Sequence, residues 1–96
     1  MQTSKTQFIT EKGTRYMGQL CKHFAHKIDA GVDGNQGYAN FPFGTAKMRA
    51  DENQLEIAIS AEDEAALTRT KDVIESHLVR FAFREELEKL DWRDAA

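Results

Sequence analysis

Apolar and polar positions recur along this chain with two different periods, and the places where the period changes divide it into elements. The longest periodic stretch, Ser60–Glu85 (SAEDEAALTRTKDVIESHLVRFAFRE), puts Leu67, Thr70, Ile74, His77, Leu78 and Phe81 on one side at about 100° per residue, with Ala66 and Val73 at the margin. Arg69, Lys71, Asp72, Glu75 and Ser76 fall on the other side, so the spacing predicts an amphipathic helix. Ser60 followed by Asp63 is a capping-box-like start, and Glu62, Asp63 and Glu64 sit where the helix dipole favours negative charge. A second helical stripe, Tyr16, Met17, Leu20, Cys21, Phe24 and Ile28, follows Thr10, which can cap it. Gly13 and Gly18 each weaken this helix by about 1 kcal/mol relative to alanine. Glycine inside a helix often marks the close approach of another backbone, although solvent exposure explains it equally well.

Elsewhere the period is two. Thr3–Thr10 (TSKTQFIT) suits a first strand, and Gln54–Ser60 (QLEIAIS) alternates Leu55, Ile57 and Ile59 against Glu56, Ala58 and Ser60. Thr45–Ala50 alternates Ala46, Met48 and Ala50 against Lys47 and Arg49, with Asp51–Asn53 as a tight turn before the next strand. Tyr38–Gly44 (YANFPFG) reads as an aromatic strand in which Pro42 cannot donate to a ladder, so the strand lies at an edge or bends there. Asp29–Gly37 (DAGVDGNQG) holds three of the six glycines and reads as a loop. Leu87 leaves the stripe of the long helix, which predicts a break near Phe83 and a short final helix carrying Leu87, Leu90 and Trp92. Trp92 is expected to pack over an edge of the core with its indole N–H bonded outward.

The predicted order is β-α-β-β-β-α(-α), a single α+β domain over residues 1–96. Two amphipathic helices need one shared apolar surface, which a four-stranded antiparallel sheet supplies in a two-layer sandwich. Lys47, Arg49 and Glu56 then mark an open sheet face, with room for a homodimer partner.

Composition narrows the function classes. A net charge of −3 argues against broad electrostatic binding to nucleic acid or anionic membrane. The single cysteine gives no disulfide framework, and neither a spanning apolar run nor a signal-peptide core is present, so the expectation is a cytoplasmic domain.

His77 is the anomaly of the long helix, a titratable ring where leucine would be expected. It can be a core histidine tied to a backbone carbonyl or hydroxyl, or it can serve catalysis or a ligand. In QLCKHFAHK, His23 and His26 have the i, i+3 spacing of a helical metal clip, whereas Cys21 points toward the core. Arg15, Gln19, His23 and His26 share one polar stripe. If the helices lie side by side, His77, Arg80 and Arg84 come near it, giving a cationic pocket suited to a carboxylate or phosphate. No nucleophile with its base, P-loop or dinucleotide fingerprint occurs, and no cofactor is identified.

The blocks RYMGQLCKHFAHK (Arg15–Lys27), GYANFPFG (Gly37–Gly44) and HLVRFAFREELEKLDW (His77–Trp92) resemble a family of small prokaryotic domains of unknown function sharing QLCKHFAHK, FPFG and HLxRFAFRE. The resemblance covers nearly the whole chain. It departs at Tyr38–Asn40, where the family is expected to have a β-branched residue before FPFG. It implies a fold similar to the C-terminal domain of phosphohexomutases and an association with siderophore-interacting proteins, and it carries no catalytic residues.

Three functions follow as expectations. The first is a non-enzymatic binding or accessory module, linked to iron or siderophore handling, that recognises a small acidic ligand or protein partner through Arg15, Gln19, His23, His26, His77, Arg80 and Arg84. The second is a metal or haem site using His23 and His26, and the third a small enzyme with His77 as acid or base.

Overall fold

Alternation in two neighbouring strands sets the floor of the molecule. In the computed structural model, which describes residues 1–95, β4 (Gly44–Ala50) buries Ala46, Met48 and Ala50 while exposing Thr45, Lys47 and Arg49. The next strand, β5 (Gln54–Ala61), buries Leu55, Ile57, Ile59 and Ala61 on the same face. Asp51 makes the turn between them, its carboxylate accepting from the N–H groups of Asn53 and Gln54 at 2.7 and 3.0 Å. β1 (Gln2–Ile9) pairs antiparallel with β5 along its whole length, from Gln2 opposite Ala61 to Ile9 opposite Gln54.

The glycine-rich stretch read as a loop is instead a β-hairpin. Asp29–Asp33 forms β2 and Gln36–Phe41 forms β3, joined by Gly34 and Asn35. Gly34 has φ +62°, the left-handed backbone that a two-residue hairpin loop demands at this position and that glycine adopts without penalty. Among the described residues the sheet has six strands rather than four, in the order β2-β3-β4-β5-β1-β6, where β6 is Arg93–Asp94. β3 is therefore interior. Pro42 costs no ladder bond because it lies, with Phe43, in the two-residue connection between the paired Phe41 and Gly44; the strand bends there and is not an edge.

Two helices cover the apolar face. α1 (Gly13–Phe24) buries Tyr16, Met17, Leu20, Cys21 and Phe24, and α2 (Glu64–Phe81) buries Leu67, Thr70, Ile74 and Leu78. Tyr16 at the start of α1 bonds to Glu85 beyond the end of α2, whereas Phe24 at the end of α1 packs on His77, so the helices run antiparallel. Caps differ from expectation at both starts. Asp63 caps α2 by accepting from the Ala66 N–H at 2.8 Å, while Ser60 stays in β5 and bonds to the Thr45 hydroxyl. Thr10 does not cap α1; its hydroxyl accepts from the Lys12 N–H and donates to Glu85 at 2.7 Å.

The predicted final helix is replaced by a single 3₁₀ turn, Phe83–Glu85, and an extended segment. Glu86 follows at φ +59°, which turns the chain out of helical geometry. The Leu90 N–H and the Trp92 indole N–H both donate to Glu75 on α2, at 2.8 and 3.3 Å, and the Thr6 hydroxyl donates to the Asp91 carbonyl. Tertiary partners thus take the Leu90 amide and the Asp91 carbonyl, backbone groups that a helix would have paired internally.

The two helical glycines have opposite surroundings. A methyl group at Gly13 would lie 2.5 Å from the Gln54 carbonyl oxygen, whereas one at Gly18 would meet nothing within 4 Å. Gly18→Ala is expected to stabilise the domain by about 1 kcal/mol through helix propensity. Gly13→Ala is expected to destabilise it by about 2 kcal/mol, since overpacking against backbone outweighs that gain. Urea unfolding of both variants decides this, and a Gly13→Ala protein as stable as Gly18→Ala would contradict the close approach.

Candidate histidine site between the two helices

Phe24 and Leu78 pull the end of α1 against the last turns of α2, and the residues beside them form the seam. The His23 and His77 rings meet with centroids 4.8 Å apart and a tilt of 45°. Phe24 lies 5.2 Å from His77 in an edge-to-face arrangement, and Phe81 lies 5.9 Å from His23. The aromatic contacts continue through Phe41 to Phe43, and the Arg69 guanidinium sits 4.3 Å from the Phe43 ring centre. His77 is half-buried and His23 exposed.

His77 has one ring nitrogen committed. Nδ1 lies 2.6 Å from the Val73 carbonyl oxygen, so Nδ1 carries the proton and neutral His77 presents a lone pair at Nε2. The backbone-carbonyl partner expected for a core histidine is present, but the ring is at the seam and not enclosed. Loss of solvent on the side of the ring against the seam, and then the charges of His77, His26, Arg80 and Lys27, hold the ionisation of His23 below the usual histidine range. Every charge acting on His23 is thus positive. Among the described residues the ion pairs are Arg49–Glu56 and Lys71–Asp94, so neither Arg80 nor Lys27 has a carboxylate partner.

The seven residues of the predicted stripe therefore separate. His23, His77 and Arg80 come together, joined by His26. α1 stops at Phe24 instead of reaching Ile28, so His26 belongs to the following turn, where its N–H bonds to the His23 carbonyl. Gln19 lies one turn before His23 and is exposed. Arg15 and Arg84 belong to the opposite end of the helix pair. Arg15 is about 12 Å along the axis from His23 and neighbours Tyr16. Arg84 lies with its guanidinium 5.7 Å from the Phe83 ring, next to Glu85. Sequence reasoning missed Lys27, which stands four residues after His23 and so had a readable spacing. It also missed the aromatic packing of Phe24, Phe41 and Phe81 around the imidazoles.

Cys21 is fully buried, with its sulfur 3.9 Å from that of Met48, and burial pushes its thiol above the usual range. A buried thiol of this kind is a packing residue, not a nucleophile. Among the described residues no three His, Cys, Asp or Glu side chains converge in a metal-binding group, and no helix is long and apolar enough to cross a membrane.

Residues 5–93 match a family described as an uncharacterized protein conserved in bacteria, DUF2218. The chain belongs to this family. The DUF2218 chain is also similar to PA4090 from Pseudomonas aeruginosa, known from an NMR structure, at 26% identity and a TM-score of 0.79. The likeness covers 99% of this chain and 96% of that one. No curated protein matches the sequence.

A depression of about 510 Å³ in this DUF2218 domain lies away from the histidines, where β1 meets the C-terminal segment. Lys5 and Arg93 there face Glu56 and Asp91, so its charges balance. A second, of about 500 Å³, is lined by Glu11, Asp51 and Glu52. The first is balanced and the second acidic, whereas the histidine seam collects positive groups.

The lowered His23 ionisation makes a stability prediction. The folded state favours neutral His23, so below pH 6.5 the unfolded chain binds more protons at this site. The contribution of His23 is present above that pH and is lost as pH falls through it. His23→Gln is expected to flatten the fall in stability on acidification from neutral pH, read as denaturant midpoints of wild type and variant at each pH. Parallel curves would exclude the coupling.

Proposed function

We propose that this domain is a binding module that captures an anionic group at the end of the α1–α2 seam, through His23, His77 and Arg80 with His26 and Lys27 beside them. One observation carries the reading: these basic groups gather with no carboxylate among them, in a chain whose net charge is −3. Positive groups in water normally scatter or pair. An unpaired cluster is an arrangement that an external anion completes, by charge-assisted hydrogen bonds to the guanidinium and the imidazolium.

The same charges weigh against the metal or haem alternative. A divalent cation held by His23 and His26 would lie close to Arg80 and Lys27, whose charges oppose it. The acid–base alternative has only Nε2 of His77 available, since Nδ1 is held by Val73. In this reading, the ligand is a small acidic molecule or the acidic segment of a protein. The siderophore link implied by the sequence resemblance enters as one candidate, a carboxylate-bearing chelator.

Arg80→Ala and His23→Ala are each expected to weaken anion binding by about tenfold, in line with loss of one charge-assisted contact. Arg84→Ala, at the other end of the helix pair, is expected to leave it unchanged. Chemical-shift titration with citrate at low and high salt checks this, with binding weaker at high salt. Binding insensitive to both Arg80→Ala and His23→Ala would remove the proposal.

A further inference from the structure

If the seam takes anions, its hydrogen-bond chemistry also selects among them, and this step rests on the anion-binding reading. We propose that the ligand presents two adjacent negative charges, as a phosphate monoester dianion or a vicinal dicarboxylate does, and that its binding draws a proton from solvent onto Nε2 of His77.

The tautomer of His77 carries the argument. Its Nδ1–H is spent on the Val73 carbonyl at 2.6 Å, so the neutral ring offers only a lone pair at Nε2. A fully ionised oxyanion has acceptor oxygens and no donor. Lone pair against lone pair is repulsive, so an oxyanion can engage this nitrogen only after a proton is added there and the acceptor becomes a donor. Balance is simple: one proton leaves the solvent or buffer, one N–H bond forms at Nε2, and no bond of the ligand breaks.

The surroundings then set the ligand's charge. The rings of His77 and His23 are 4.8 Å apart. His26 and Lys27, in the turn after α1, and Arg80, on α2, are close enough for their charges to act on His23, while Phe24 packs on His77 and Phe81 on His23. Carboxylates on the neighbouring elements are engaged elsewhere: Glu75 on α2 holds Leu90 and Trp92, and Asp29 at the start of β2 holds Tyr38 and Asn40. A new imidazolium on His77 therefore adds charge to a group already carrying Arg80 and Lys27. A single negative charge is absorbed by the guanidinium, leaving the imidazolium uncompensated. Two adjacent negative charges can meet both at once.

Isothermal calorimetry tests this with methyl phosphate, maleate and acetate as probes, at about pH 7.5 where each is largely free of ionisable protons, in buffers of different ionisation enthalpy. The expected result is a Kd for methyl phosphate or maleate about tenfold or more below that for acetate, with net uptake of about one proton. Preference between methyl phosphate and maleate tells the phosphoryl from the carboxylate source. His77→Gln is expected to abolish the proton uptake, and His23→Gln, at an exposed position, to reduce affinity while retaining it. Dianion binding without proton uptake, uptake that survives in His77→Gln, or acetate bound as tightly as maleate would overturn this inference and leave the anion site standing. If none of the three probes binds, the underlying reading of the seam falls with it.

Discussion

α1 comes down on the sheet at Gly13, where the first turn of the helix lies against the Gln54 backbone, and α2 comes down at Thr70, whose side chain fits over Gly44. Neither approach leaves room for a Cβ, so the separation of the two layers is fixed at one point under each helix. Between those points the packing is ordinary hydrocarbon. Met17 and Leu20 from one helix and Ile74 and Leu78 from the other close over Leu55 and Ile57. Buried side chains packed at this density do not slide freely, so the angle and depth of each helix follow from the glycine contacts.

Because the helices are held antiparallel at that depth, their two ends become chemically different places. At one end Glu85 collects the hydroxyls of Thr10 and Tyr16, and a carboxylate there closes the gap between the strand-to-helix turn and the end of α2. Burial, followed by the bond to Glu85, raises the Tyr16 hydroxyl's ionisation and keeps it a donor. At the other end no acid takes part. The end with Glu85 is satisfied internally, and the end with His23, His77 and Arg80 is left with donors and charge to spare. That asymmetry, more than the presence of histidine as such, separates a structural junction from a binding edge.

Much of this was legible in the chain. The apolar stripes of both helices and the alternation of β4 and β5 are the observed buried sets almost residue for residue, since burial on one face leaves a direct mark on sequence. β2 left no such mark: it is an edge strand whose only branched apolar residue, Val32, is itself exposed, and glycine and aspartate mask its pairing. The pair Gly34–Asn35 was a hairpin signal, outweighed by the density of glycine around it. The C-terminal segment misled for the opposite reason. Leu87, Leu90 and Trp92 have plausible helical spacing, but the left-handed Glu86 and the capture of two N–H groups by Glu75 are tertiary facts with no local signature. In the site, the meeting of His23 with His77 followed from side-by-side helices. The separation of Arg15 and Arg84 followed from their direction, which periodicity does not encode.

Glu75 also gives the molecule a built-in optical probe. Trp92 is the sole tryptophan, half-buried, and its indole N–H rests on the same carboxylate oxygen that holds the Leu90 amide. Its emission therefore senses whether the last ten or so residues are seated on α2, a local event that can precede collapse of the sheet. Fluorescence and far-ultraviolet dichroism would then follow different transitions in one small domain, the first marking detachment of its C-terminal strap and the second the loss of the layers beneath.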